Sequence, residues 1–405
     1  MAISVEEALS YIYKNTPTVS KIILPIEDAL GFIIATDVIA THNLPPYDNS
    51  AMDGYVVKLN DANKTVKVVD TIFAGDNKNT ILEDNCAIKI MTGAKVPKGS
   101  ECVVPIENVT TCKDGIKLPQ NLKQNNHIRF TGEDIKIGDK LLEKGDKLTA
   151  YKITILASQG ISHIKVYKKP KVALFASGNE LKMHFENVQE HQLYNTNSPM
   201  ILARAKELGC DVEFIGTAQD TLESLKEHIK SALDADLVIT SGGVSVGDAD
   251  FTKEAFASFG VKNFFEKIDI KPGKPTTFGK VENTMVLNLA GNPSAAAMNF
   301  EIFAKATILA LSGSTKKYIK PITVKLLDDY KIKSGRRSLV PVCFDGEFIK
   351  TCEKFAPGMI SHLSKANAIM MIDEKCDFLK KNQEVKIITT ELLLTSDEET
   401  SLIQI

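Results

Sequence analysis

Asp236 to Asp250 read DLVITSGGVSVGDAD, an apolar run that breaks into glycines and then carboxylates. A short continuous apolar segment bounded by turn residues predicts a strand buried on both faces, as in a parallel sheet. The glycine loop then falls at the carboxyl end of that strand, where open α/β sheets bind ligands. Gly242 and Gly243 let successive backbone amides converge on an anion, and Ser241, Ser245, Asp248 and Asp250 add polar groups around them. Three further turns follow strand-like runs in the same way: SGNEL (Ser177 to Leu181), KPGKP (Lys271 to Pro275) and AGNPS (Ala290 to Ser294). Together they predict one rim with an oxyanion and phosphate site.

Outward from this loop, strands and helices alternate from Lys171 onward. The predicted strands are VALFAS, DVEFIGT, DLVITS, NFFEKIDI and MVLNLA. Ser198 and Pro199 start a helix that Gly209 ends, and Asp220 with Glu223 caps the next. The fold class is therefore multidomain α/β with a central parallel sheet. Residues 169–316 form that α/β domain, and residues 44–136 form an all-β insertion of short strands broken by Gly, Pro, Asn and Asp. Residues 1–43 and 137–168 make a helix and strand linker domain, and residues 317–405 a C-terminal β domain. Ser4 and Glu7 form a capping box ahead of Val5, Ala8, Leu9 and Ile12, which share one helical face.

Composition excludes several function classes. With 405 residues, 43% hydrophobic and 25% charged, and a formal charge of −2, the chain has no bulk attraction for nucleic acid or anionic lipid. The seven cysteines are scattered without a CxxC pair and read as reduced, mostly buried thiols. The N-terminus shows no signal-peptide core, and no apolar run approaches the roughly 18 to 20 residues needed to cross a bilayer. A cytoplasmic protein is the expectation. GxxxxGK[ST] is absent, as is GxGxxG after a strand, so neither a P-loop NTPase nor a nicotinamide enzyme is supported. The histidines, His362 included, stand at no spacing that forms a zinc site or a catalytic dyad.

Lys271 and Lys274 sit on a stretch restricted by two prolines, and fixed ammonium groups suit a tetrahedral oxyanion or phosphate. Lys267 joins them if the segment is a strand, since Lys267, Asp269 and Lys271 then share one face. In AGNPS a strand end meets a helix start, so amides near Asn292, Pro293 and Ser294 can face an anion. Asp53, Asp134, Glu180, Asp220 and Asp250 all stand in loops beside small residues, where a carboxylate can approach a ligand or a hard cation.

These turns, with PPYDNSAMDGY (Pro45 to Tyr55), IMTGAKVP (Ile90 to Pro97) and IRFTGEDI (Ile128 to Ile135), occur in an order that resembles the MoeA family. These are the molybdenum-inserting proteins to which gephyrin's E domain and the plant molybdenum-insertase domain are related. The resemblance spans the chain and implies a MogA-like, molybdopterin-binding central domain. It also implies insertion of molybdenum from molybdate into adenylated molybdopterin, with AMP released and Mg²⁺ held by Glu180 and Asp250. By the same resemblance Asp53, Glu180, Asp220 and Asp250 are the candidate catalytic acids, with no single general base assigned. The substrate lies against Thr92, Arg129, Asp134, Ser241, Gly242, Gly243, Ser245, Asp248, Lys267 and the AGNPS turn. Molybdate is held by Lys271, Lys274, Ser294 and an arginine of the tail, Arg336 or Arg337.

The family implies a homodimer in which Asp53, Thr92, Arg129 and Asp134 serve the partner's cleft. Molybdopterin adenylyltransferase and molybdoenzyme maturation factors are implied as further partners. Three positions depart from the family pattern: Ala290 for proline, Asn179 for aspartate, and Ala356 to Gly358 where relatives carry serine, a role Ser361 can take. The alternatives are molybdopterin adenylylation and a non-catalytic, gephyrin-like scaffold.

Overall fold

The computed structural model describes residues 2–242, 249–332 and 335–391. A six-stranded sheet runs in the order Asp211–Ala218, Lys171–Ser177, Leu237–Ser241, Thr284–Leu289, Thr277–Val281, Lys262–Phe265. The first four strands are parallel, and Leu237–Ser241 and Thr284–Leu289 are buried along their whole length. The last two are antiparallel, so the sheet is mixed rather than purely parallel. Thr277–Val281, whose Gly279 weakens its strand pattern, is absent from the predicted set, and the strand expected over NFFEKIDI stops at Phe265.

Period-2 alternation divides the core. Val172, Leu174, Leu237 and Ile239 pack on the face that includes Val5, Ile12, Ile201 and Phe303; Ala173, Phe175 and Val238 pack on the face that includes Leu225, Ile229 and Phe256. The chain passes from Lys171–Ser177 to one side and returns on the other as Leu237–Ser241, which makes the gap between these two strand ends the switch point where a ligand crevice forms.

The capping box is present: Ser4 Oγ accepts from Glu7 N at 3.1 Å and Ser4 N donates to Glu7 Oε2 at 2.8 Å. The following helix, Val5–Asn15, buries Val5, Ala8 and Ile12. Between it and the α/β domain stands a second six-stranded sheet, ordered Cys102–Pro105, Gly54–Val57, Cys86–Ile90, Thr65–Ile72, Gly115–Lys117, Thr110–Cys112. The tail closes into a five-membered barrel of Ile322–Leu326, Phe348–Thr351, Ser338–Phe344, Ala368–Ile372 and Glu384–Thr389.

A helix of 19 residues, Pro293–Leu311, is long and apolar enough to cross a bilayer, contrary to the expectation that no such run exists. Burial of 83% of its most apolar window inside the protein accounts for its composition as a core helix. The cysteines are free thiols, but only Cys102 and Cys210 are buried, which pushes their pKa values up to about 11 and about 12; Cys112 is exposed and the others are half-buried.

Candidate functional site: two cavities sharing a wall

The switch point opens into a cavity of about 500 Å³ between the ends of Lys171–Ser177 and Leu237–Ser241. Its glycine turns meet closely. A Cβ on Gly242, whose φ is +99°, would overlap the carbonyl oxygen of Ser177, so only glycine lets these two strand ends close up. Asn197, first residue of the helix Asn197–Glu207, fastens the turns together. Its Nδ2 donates to Ser241 Oγ at 2.8 Å and to the Gly291 carbonyl at 2.7 Å, while its buried Oδ1 has no partner among the described residues. The sequence reading passed over Asn197, although an Asn-rich stretch, NTN, directly before a helix is a signal for such a clamp.

Glu180 and Asp220 both line this cavity. The Glu180 carboxylate folds over Gly178, with Oε2 2.8 Å from where a Cβ would stand. Asn179 and Asp220 are held reciprocally: Asn179 N donates to Asp220 Oδ2 and Asp220 N to Asn179 Oδ1, both at 3.3 Å. Asp220 is not the helix cap the sequence predicted. Thr221 caps Leu222–Ala232, its hydroxyl accepting from Ser224 N at 3.3 Å, and this leaves the Asp220 carboxylate on the cavity side. Gly243, Ser245 and Asp248 lie outside the described residues; Asp250 falls in the helix Ala249–Ser258, and its side chain lies outside the description.

A second cavity, of about 320 Å³, lies between KPGKP and the barrel, with Lys271 and Ser294 on one side and Tyr330, Ser338 and Phe355 on the other. Lys271 is stitched to the barrel through its backbone: Lys271 N donates to Arg337 O at 2.9 Å, and Leu339 N to Lys271 O at 2.8 Å. Gly273, at φ +100°, faces the fully buried Asn299, whose Nδ2 donates to Gly273 O at 3.0 Å and to Thr276 Oγ1 at 2.6 Å; a Cβ on Gly273 would overlap that amide. Asn299 thus sets the path of the lysine-bearing turn. Lys274 is half-buried and lines neither cavity. Lys267 is exposed, and the strand expected to carry Lys267, Asp269 and Lys271 ends at Phe265.

Asn292 and Pro293 line the first cavity and Ser294 the second, so the AGNPS turn is the wall between them. Ala356 and Pro357 of the barrel line the second cavity and Gly358 the first, continuing that wall. Ser294 N donates to Pro357 O at 3.0 Å, and Ser294 Oγ lies 2.9 Å from His362 Nε2. The histidine spacings gave no hint of this contact: the partners lie 68 residues apart and meet only through domain packing. Arg337 pairs with Glu6 at 2.5 Å and Arg336 is exposed; neither lines the second cavity.

In the β insertion, Asp53 Oδ1 accepts from Thr92 N at 2.7 Å and Thr92 Oγ1 at 2.9 Å, and these donors hold the exposed Asp53 carboxyl below its usual pKa. Arg129 lies in the short strand Ile128–Arg129, and Asp134 N donates to Leu44 O at 3.0 Å. Asp53, Thr92, Arg129 and Asp134 are all exposed, and none lines either cavity. Among the described residues no three His, Cys, Asp or Glu side chains cluster as a ready metal cage.

Residues 3–160 match the MoeA N-terminal region (domain I and II), 173–310 a probable molybdopterin binding domain, and 323–390 the MoeA C-terminal region (domain IV). A molybdopterin molybdenumtransferase of Staphylococcus aureus is 31% identical over 411 residues, covering 96% of each chain. The chain belongs to the molybdopterin molybdenumtransferase family. A second family member of that name, from Staphylococcus epidermidis, is 32% identical with the same coverage. The crystal structure of a molybdopterin biosynthesis MoeA protein from Pyrococcus horikoshii superposes with a TM-score of 0.84 at 28% identity, covering 97% of this chain and 100% of that one. As a member of the molybdopterin molybdenumtransferase family, the chain is a transferase of molybdenum-cofactor biosynthesis.

Proposed function

We propose that the chain inserts molybdenum from molybdate into adenylated molybdopterin, releasing AMP and leaving molybdenum cofactor. The observation that carries this reading is the shared wall: a larger cavity rimmed by glycine turns and acids abuts a smaller one carrying a lysine. The larger suits a phosphate-bearing nucleotide end, because backbone amides and a helix start can meet phosphate oxygens. The smaller suits a tetrahedral oxyanion, whose charge the Lys271 ammonium offsets. No cysteine lines either cavity among the described residues, so capture of the metal falls to the substrate's own dithiolene sulfurs.

Mg²⁺ fits the first cavity. Glu180 and Asp220 supply hard oxygen donors there, and Mg²⁺ ordinarily completes its shell with water and substrate phosphates rather than a protein cage. Glu180 and Asp220 would hold it, with Asp250 a further donor by family resemblance alone, and the ion would supply charge neutralisation as the phosphoanhydride is cleaved. The protein's own part is to orient the adenylate between the glycine turns and keep its phosphate end against the AGNPS wall.

A homodimer with shared sites is part of the same proposal. It is supported by Asp53, Thr92, Arg129 and Asp134 being exposed yet lining neither cavity of their own chain. Heterodimers of Asp53→Ala and Lys271→Ala chains should regain part of the lost activity, and verified heterodimers without recovery would count against sharing.

The test of the main reading is AMP release from adenylated molybdopterin and Mg²⁺, with molybdate, with tungstate, or with neither. Release stimulated by molybdate, with active cofactor formed, is the expected result; substrate bound but intact under all three conditions would refute it.

A further inference from the structure

His362 belongs to the barrel's short turn of helix Ser361–Ser364 and is 3% exposed. Its Nε2 lies 2.9 Å from Ser294 Oγ, its ring packs edge-on against Phe355, and its buried Nδ1 has no partner among the described residues. Ser294 is itself shielded from water yet forms part of the wall of the Lys271 cavity, and its amide is already committed to Pro357 O. Burial lowers the His362 pKa, so the ring is neutral and carries one N–H.

That proton has two possible positions. On Nδ1 it would be a stranded buried donor, and Ser294 would spend its own hydroxyl proton on Nε2. On Nε2 it donates to Ser294 Oγ, and the Ser294 proton is released for another acceptor. An oxyanion offers only acceptors, so the second arrangement alone provides it with a donor from Ser294.

We propose that His362 is a positioning residue for oxyanion recognition: its Nε2–H donates to Ser294 Oγ and so leaves the Ser294 hydroxyl to donate to a tetrahedral oxyanion held by Lys271. The inference rests on the reading that molybdate occupies the Lys271 cavity. It assigns the barrel a direct part in that pocket, through a residue that never touches the ligand.

The experiment measures half-saturating molybdate and the saturated rate of AMP release for the full-length chain and five variants, with thermal unfolding alongside. His362→Ala leaves the Ser294 hydroxyl unaimed and should raise half-saturating molybdate about tenfold, as if the Ser294 hydrogen bond to its charged partner were lost, with the saturated rate changed less than about twofold. His362→Gln, whose side-chain amide can donate from near the Nε2 position, should restore most of the affinity. Ser294→Ala should match His362→Ala, and the double variant should be no worse than either single one.

Unchanged half-saturation in His362→Ala, additive losses in the double variant, or a folded His362→Gln that behaves like the alanine would each overturn the assignment. If His362→Ala does not fold, the glutamine variant decides. Lys271→Ala separates the two levels. If it raises half-saturating molybdate while the His362 variants are silent, only His362 loses its role. If Lys271→Ala is silent, or the wild-type chain ignores molybdate, the cavity reading falls and this inference with it.

Discussion

The two cavities are built in opposite ways. The larger is made by one domain but for Gly358 of the barrel at its edge: parallel strands end on the same rim, and a single asparagine, Asn197, ties two of their turns together. The smaller is made by two domains, with a turn from the α/β unit stitched by backbone hydrogen bonds to a barrel strand. The first inherits its shape from sheet topology; the second exists only when the barrel is docked. Damage at the first should therefore reach nucleotide handling directly, whereas the second should be open to damage from either side of a domain boundary.

The sharpest way to break this contrast uses the two glycines. Gly242→Ala meets the backbone of Ser177 and Gly273→Ala meets the buried Asn299 amide, both at positive φ, so each should cost roughly 3 kcal/mol in denaturant unfolding. The functional loss should differ, with Gly242→Ala impairing adenylate binding first and Gly273→Ala impairing molybdate response first. Identical functional profiles would mean that the two cavities are not separable. Next in size, Glu180→Gln should slow AMP release at saturating molybdate by about a hundredfold, within the range of acid or base contributions, with little change in molybdate demand. A full-rate Glu180→Gln enzyme would remove that carboxylate from the chemistry.

Asn197→Ala and Asn299→Ala each strand buried partners, and about 2 kcal/mol of stability should be lost in either case. Paired measurements of adenylate affinity should weaken more for Asn197→Ala. The smallest effect concerns acid stability. His362 titrates lower when folded than its ordinary value of 6.5, so the unfolded chain takes up this proton first as pH falls. The associated stability is complete above that value and declines as pH drops through the folded pKa, giving a shallow slope that His362→Gln should flatten.

The larger cavity was legible because its signals are local. Apolar runs of strand length followed at once by glycine mark Ser177, Ser241 and Gly291 without reference to the rest of the chain. The Asp220 assignment failed one residue away from the truth, because Asp and Thr both cap helices and the choice between Asp220 and Thr221 is settled by backbone dihedrals. The Ser294 and His362 contact had no local signal at all, since neither residue's neighbours hint at a partner in another domain. Asn299 did leave a trace: a lone amide amid SAAAMNFEIF, on a helix apolar all round, must find a buried partner. The overlooked strand Thr277–Val281 carries a central glycine and sits at the antiparallel side of the sheet, where pattern strength is lowest.

The helix Pro293–Leu311 carries both the wall residues, from Pro293 and Ser294 onward, and Asn299, which governs the lysine turn. These groups sit together in its first seven residues, Pro293–Asn299, ahead of the π-helical turn Phe300–Ala304, so one short buried segment supports both cavities. If a ligand in one cavity tightens binding in the other through this segment, the second must tighten the first by the same factor. The helix thereby gives both cavities one common footing.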